Sequence, residues 1–283
     1  MLTKAKGKTC YNQSVPRPAL WKVRYMLRKS KALAKIRAGE PVRICMLGHF
    51  IPPYVHLAAQ AGFDCIWLDL EHRLIDEREV QALLAQFHLA DIDCMLRSPT
   101  REKNRLYRYL EDGATGLMIP HVSTVEEAEA LVQATKFPPQ GDRGLDGVGF
   151  DTHYALTDRE TYTEHANRET FLVVQIETPE GVKNAEQIAA LDGIAGLFVG
   201  PSDLGLRLSK FKGLPSLDEC IEQVAHAAAQ YGKAWGLPAG TPEQLAKYHG
   251  MGAQLLAHGS EYGALKGMLD ASARRFDAAF ASK

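Results

Sequence analysis

From about residue 40 onward, short apolar runs rich in β-branched residues alternate with amphipathic stretches. The runs are Val42–Leu47, Cys65–Leu68, Cys94–Leu96, Gly116–Ile119, Phe171–Ile176, Gly196–Val199, Ala234–Leu237 and Gln254–Ala257. Each reads as a strand buried on both faces. Helical spacing covers Val55–Ala61, Asp76–His88, Lys103–Asp112, Val125–Thr135, Val182–Leu191, Leu217–Tyr231 and Pro242–His249, and a last helix, Tyr262–Phe280, follows the eighth run. Strands that alternate with helices form βαβ units on a parallel sheet, and eight units close into a (β/α)8 TIM barrel. The rival, an open doubly wound sheet, usually begins with a GxGxxG turn, and none follows the first run.

Two segments depart from this rhythm. Met1–Pro18 is polar and aperiodic and reads as an arm, followed by a helix over Ala19–Ala38 that Gly39 would cap. The domains predicted are an N-terminal basic extension, residues 1–30, and the barrel, residues 31–283. The second departure is the long connection Phe137–Thr170 between strands four and five, with PPQGDRG and GVGF in it. Long loops inside compact domains are often functional, and this one is expected beside the active-site mouth.

Composition narrows the class. Of 283 residues, 46% are hydrophobic and 24% charged, which suits a globular chain and excludes wholesale disorder. No apolar run approaches a membrane span. The 5 cysteines lie far apart without a CxxC, as expected of reduced thiols in the cytoplasm. The net charge of −1 hides an asymmetry: residues 1–37 carry basic groups and no acid, so the remaining chain is strongly acidic. An acidic body argues against nucleic acid as a partner. The basic start reads as a solvated arm and basic helix, or as an acid-poor transit peptide.

In a barrel, chemistry sits at the C-terminal strand ends. Strand one offers His49 and Phe50. Strand two offers Asp69, Glu71 and His72, strand three Arg97, and strand four His121. Strand five offers Gln175 and Glu177, and strand six Ser202 and Asp203. Glu177 and Asp203 are candidate ligands of a hard cation, or else helix caps. Asp69 is expected either to orient His72 for acid/base work or to cap a turn. Arg97 would stabilise an enolate oxygen, or pair with neighbouring acids for packing. Lysine is absent from all eight strand cores, which disfavours a Schiff-base aldolase.

Taken together, RAGEPV, AGFDCIWLDLEH, MLRSP, LEDGATGLMIPHV, PPQGDRG and VVQIE…GPSDLG resemble the HpcH/HpaI family of metal-dependent pyruvate aldolases, from about Lys31 onward. The resemblance implies a (β/α)8 barrel with a C-terminal helix swapped between subunits, and a homo-oligomer built from dimers, a hexamer. It implies Mg²⁺, Mn²⁺ or Co²⁺ on Glu177 and Asp203. Pyruvate's carboxylate would lie on the Ser202 and Asp203 amides, with Gln175 in support. Arg97 would act on the enolate oxygen, His72 oriented by Asp69 would be the acid/base, and Asp112 would approach a neighbouring subunit's site. The activity implied is reversible cleavage of a 4-hydroxy-2-oxo acid to pyruvate and an aldehyde. An acyl-CoA lyase related to the citrate lyase beta subunit, an enzyme acting on phosphoenolpyruvate-type substrates, and a non-catalytic ligand-binding barrel are the alternatives. Many members keep a tryptophan near the end of strand one, where this chain has MLGHF. The substrate's variable end is therefore expected against His49, Phe50 and the Phe137–Thr170 connection.

Overall fold

The computed structural model describes residues 27–211 and 213–281. The arm and the first part of the helix expected over 19–38 lie outside the described residues. Eight parallel strands close into a barrel in sequence order: β1 Val42–Leu47, β2 Cys65–Asp69, β3 Asp93–Arg97, β4 Gly116–Ile119, β5 Phe171–Ile176, β6 Gly196–Val199, β7 Ala234–Pro238 and β8 Leu255–Ser260. The helices are α1 Lys31–Ala38, α2 Pro52–Gln60, α3 Glu77–Leu89, α4 Lys103–Glu111, α5 Val125–Thr135, α6 Arg159–Glu169, α7 Pro179–Lys183, α8 Ala185–Ala189, α9 Pro201–Lys210, α10 Leu217–Gln230, α11 Pro242–Gly250 and α12 Glu261–Phe280.

Period-2 alternation sorts each strand between two cores. In β2, Cys65 and Trp67 face the barrel interior, and Ile66 and Leu68 face the helices. Met95, Met118, Val173 and Phe198 fill the interior with Trp67, which meets Phe198 edge to face at 5.5 Å. The same parity, carried to the strand ends, brings Asp69, Arg97 and Gln175 inward at one mouth.

The opposite rim is sealed by the N-terminal segment. Buried Asp93, first residue of β3, accepts hydrogen bonds from Ser30 Oγ (2.6 Å), the Ala32 amide (2.8 Å) and Arg28 Nη1 (2.7 Å). Ser30 also caps α1 by accepting from the Leu33 amide, and left-handed Gly39 (φ 73°) ends it. Ala32 and Leu33 join the interior cluster. Arg28 and Ser30 thus belong to the seal.

The 137–170 connection corrects one expectation. It runs from the C-terminal end of α5 to the start of β5, so it covers the rim opposite the mouth of its own barrel. Phe150 packs on His88 near the end of α3 (4.6 Å between ring centroids). It cannot meet the same substrate end as His49. The segment also contains a helix, α6, that its polar sequence concealed. Buried Arg143 ties it together, donating to Asp151 (3.0 Å) and Tyr162 (2.9 Å) while stacking on Phe137.

Candidate active site

Five ionisable side chains form one continuous run across the mouth. Asp69 and Arg97 occupy paired positions on adjacent strands. Arg97 Nε and Nη2 donate to the two Asp69 oxygens at 2.9 and 2.8 Å, a bidentate pair. The guanidinium lies over the Trp67 ring, 4.5 Å from its centroid. Its third nitrogen, Nη1, is 2.9 Å from Glu71 Oε2. Glu71 Oε1 is 3.1 Å from His121 Nε2, and His121 Nδ1 is 2.7 Å from Glu177 Oε1.

Asp69 therefore pairs differently from the arrangement expected. Its carboxylate grips Arg97 and accepts from the Glu71 and His72 amides, holding the turn after β2. It does not orient the His72 ring, which is exposed and 3.5 Å from Glu71 Oε2. Burial by itself would raise the Asp69 carboxyl, but the bonds and charge of Arg97 hold it below the usual range.

Glu177 is 2% exposed. It accepts from the His121 amide (2.8 Å) and from Gln175 Nε2 (2.7 Å). Burial pushes its carboxyl up, the facing His121 lowers it, and the Glu71 and Asp203 carboxylates raise it further. Gly200 makes room for this group: a Cβ there would come within 2.3 Å of Glu177 Oε2. Asp203 lies in the first turn of α9, half-exposed, and pairs with Arg207 (3.1 Å), which also donates to the Glu177 carbonyl. The same turn carries Ser202, and no side chain caps it at Gly200. A helix start with free amides suits an anion.

The donor set fits a divalent cation. One atom each from Glu71, His121 and Glu177 lie within 4.8 Å of one another. Asp203 is close enough to act on Glu177 electrostatically, and the buried Gln175 Oε1 has no partner. Glu71 and His121 are the members of this candidate cluster that spacing understated, although both stand at strand ends in the sequence.

A family profile described as HpcH/HpaI aldolase/citrate lyase matches residues 47–266. The chain belongs to this family. A hydroxypyruvate/pyruvate aldolase of Deinococcus radiodurans is 32% identical over 250 residues, covering 88% of each chain. A 5-keto-4-deoxy-D-glucarate aldolase of Shigella sonnei is 34% identical over 232 residues, 81% of this chain and 90% of that one. The crystal structure of an HpcH/HpaI aldolase from Desulfitobacterium hafniense superposes with a TM-score of 0.79 at 28% identity, covering 86% of this chain and 95% of that one. Like the family as described, this chain is a carbon–carbon lyase of the aldolase type.

Two further expected site residues stand apart from the run. His49 follows β1 at the same mouth, and its Nδ1 is 2.7 Å from Glu261 at the start of α12. Asp112 caps the C-terminus of α4, away from the mouth, and accepts from Gln81 at 2.9 Å. Within one barrel it does not join the other candidates.

Proposed function

We propose that this chain catalyses the reversible retro-aldol cleavage of a 4-hydroxy-2-oxo acid to pyruvate and an aldehyde, with a divalent cation as cofactor. The observation that carries this is the unbroken run Asp69–Arg97–Glu71–His121–Glu177, which links a rigid buried guanidinium to a buried carboxylate cluster. Glu177 would hold the cation, with Asp203 turning to it from Arg207. When bound, Mg²⁺, Mn²⁺ or Co²⁺ supplies Lewis acidity to the 2-oxo group.

The chain's own groups do the rest. The uncapped Ser202 and Asp203 amides receive the substrate carboxylate. His72 takes the proton from the 4-hydroxyl, the C3–C4 bond breaks, and the aldehyde leaves. The electron pair passes to the enolate, whose oxygen faces Arg97, already fixed by Asp69 and so needing no reorganisation as charge develops. A proton then returns to C3 and pyruvate forms. Gln175 holds Glu177 in place through its 2.7 Å bond. His49, at the same mouth, would meet the aldehyde portion.

The proposed assembly uses α12. Its Leu265, Met268, Leu269, Phe276 and Phe280 are exposed, while an apolar groove of about 390 Å³ lies open beside β1 and β8, lined by Phe63, Leu245 and Leu256 among others. We propose that α12 covers this groove on a second copy, building a dimer and then a dimer-based hexamer, in which Asp112 approaches a neighbour's site. No helix among the described residues is long and apolar enough to cross a membrane. The buried free thiols of Cys45, Cys65, Cys94 and Cys220 suit the cytoplasm.

The test is a pyruvate-release assay over a panel of 4-hydroxy-2-oxo acids, with EDTA controls. Release from at least one acid, abolished by EDTA and restored by Mg²⁺ or Mn²⁺, is expected. No release from any acid with any of the three cations would refute the proposal.

A further inference from the structure

The His121 backbone is left-handed, with φ 58°, although the residue is not glycine. Such a conformation costs energy and persists only where the surroundings impose it. Here it aims both ring nitrogens at carboxylates: Nδ1 at Glu177 (2.7 Å) and Nε2 at Glu71 (3.1 Å). The amide of the same residue donates to Glu177 as well, at 2.8 Å. The ring is thus held by a carboxylate at each nitrogen, the one at Nδ1 only 2% exposed, while its side chain remains part exposed at the mouth.

The Glu177 carboxylate and the Nδ1 side of the imidazole form a mixed oxygen and nitrogen donor set. Mg²⁺ takes oxygen ligands and gives up its water reluctantly. Imidazole nitrogen is a better ligand for first-row transition ions, whose affinity for such sites rises from Mn²⁺ to Co²⁺. We propose that His121 Nδ1 is a ring-nitrogen ligand of the cation held by Glu177, with Glu71 on the opposite nitrogen, Nε2, orienting the ring, and that this nitrogen ligand makes the site select Co²⁺ or Mn²⁺ over Mg²⁺. The proposal rests on the reading of Glu177 as the cation's anchor. It also gives the strained backbone a purpose, because relaxing φ would swing the ring away from both carboxylates.

The experiment uses the metal-stripped full-length protein and three variants. Mg²⁺, Mn²⁺ and Co²⁺ affinities are measured by calorimetry, and nitrogen coupling to bound Mn²⁺ by pulsed EPR. His121→Gly is the main variant, since glycine accepts the left-handed backbone and keeps the fold. It should lower Co²⁺ affinity about 10- to 100-fold and Mg²⁺ affinity less than about 3-fold, and should remove the nitrogen signal. Free imidazole added to this variant should restore that signal and part of the Co²⁺ affinity. His121→Asn, with a carbonyl oxygen in place of the ring nitrogen, should bind Mg²⁺ at least as well as the wild type. A Co²⁺-to-Mg²⁺ ratio unchanged in His121→Gly, or no nitrogen coupling in the wild type, would overturn the proposal while leaving the Glu177 site standing. Undiminished Co²⁺ and Mg²⁺ binding in Glu177→Gln would remove the anchor itself and, with it, the proposal.

Discussion

Asp69 and Arg97 sit opposite each other in register on neighbouring strands and close two parallel hydrogen bonds, 2.9 and 2.8 Å long. The arrangement fixes the guanidinium plane before substrate arrives. Arg97→Lys keeps the charge but cannot form the fork, so we expect kcat for pyruvate release to fall about 10²-fold, the scale of losing one preorganised donor. Asp69→Asn should also lower kcat, because the plane is no longer fixed. If the two act as one unit, the double variant is no slower than Arg97→Lys alone. Multiplicative losses, in variants whose circular dichroism matches the wild type, would mean that Asp69 acts independently of Arg97.

The exposed face of α12 makes a second prediction. If α12 covers the apolar groove beside β1 and β8 on a second copy, truncation after Gly263 leaves that groove open, and a protein with such a surface associates non-specifically. The truncated chain should lose the wild-type mass in light scattering and aggregate on concentration. Leu245→Arg places a charge in the groove without touching α12 and should dissociate the proposed oligomer as well. Unchanged masses for both variants would show that α12 and the groove do not meet across subunits.

Much of this architecture is legible in the residue order. Parallel strands covered on both sides must be apolar throughout, so LFV and FLVVQI stand out against their flanks, and the β4, β5 and β6 bounds fall where the runs do. Helix α6 was concealed because it buries only Tyr162, Ala166 and Glu169 and leaves its other faces to solvent. Its start does carry a signal, Asp158 accepting from the Thr161 amide. Helix α9 begins inside GPSDL, so that its first turn reads as a loop, although proline at the first helical position after Gly200 marks a start. The partners within the site were less legible. Strand parity brings Asp69 and Arg97 inward, but only the register of β2 against β3 decides that they pair, and the chain alone does not state that register. The placement of 137–170 was recoverable, because a segment that follows a helix begins at the rim away from the mouth.

Glu111 gives a prediction about pH. Its carboxyl is pushed up from 4.5 to about 7, first by burial, with Arg143 opposing and the Asp151, Asp146 and Asp112 carboxylates adding to the rise. The folded protein thus holds this proton more tightly than the unfolded chain does. The stabilisation is complete below pH 4.5 and is lost as pH rises through about 7. Glu111→Gln keeps a neutral side chain at every pH. Its Tm should match the wild type near pH 4.5 and exceed it by a margin that opens towards pH 8. A constant Tm difference across that range would mean that Glu111 ionises normally in the folded protein.

The last prediction concerns how the mouth reads the aldehyde. His49 is exposed, while its partner Glu261 is 3% exposed and holds the turn after β1 twice, accepting from the Gly48 amide and facing the His49 ring, both at 2.7 Å. A buried carboxylate behind an exposed imidazole fixes which ring nitrogen faces outward. On the proposed function, the outward nitrogen would bond a hydroxyl or acid on the incoming aldehyde. A hydrogen bond that the correct substrate makes and a truncated site cannot is worth about 1–3 kcal/mol. His49→Ala, assayed with pyruvate as donor, should therefore lose about 5- to 150-fold in kcat/KM with hydroxylated or acidic aldehydes, and little with apolar ones. Glu261→Gln should follow the same pattern more weakly, since the ring remains but its orientation is no longer enforced. Because Glu261 also opens α12, the mass of this variant is checked by light scattering before its kinetics are compared. A uniform loss across the aldehydes would mean that His49 shapes the mouth as a whole and does not discriminate among substrates.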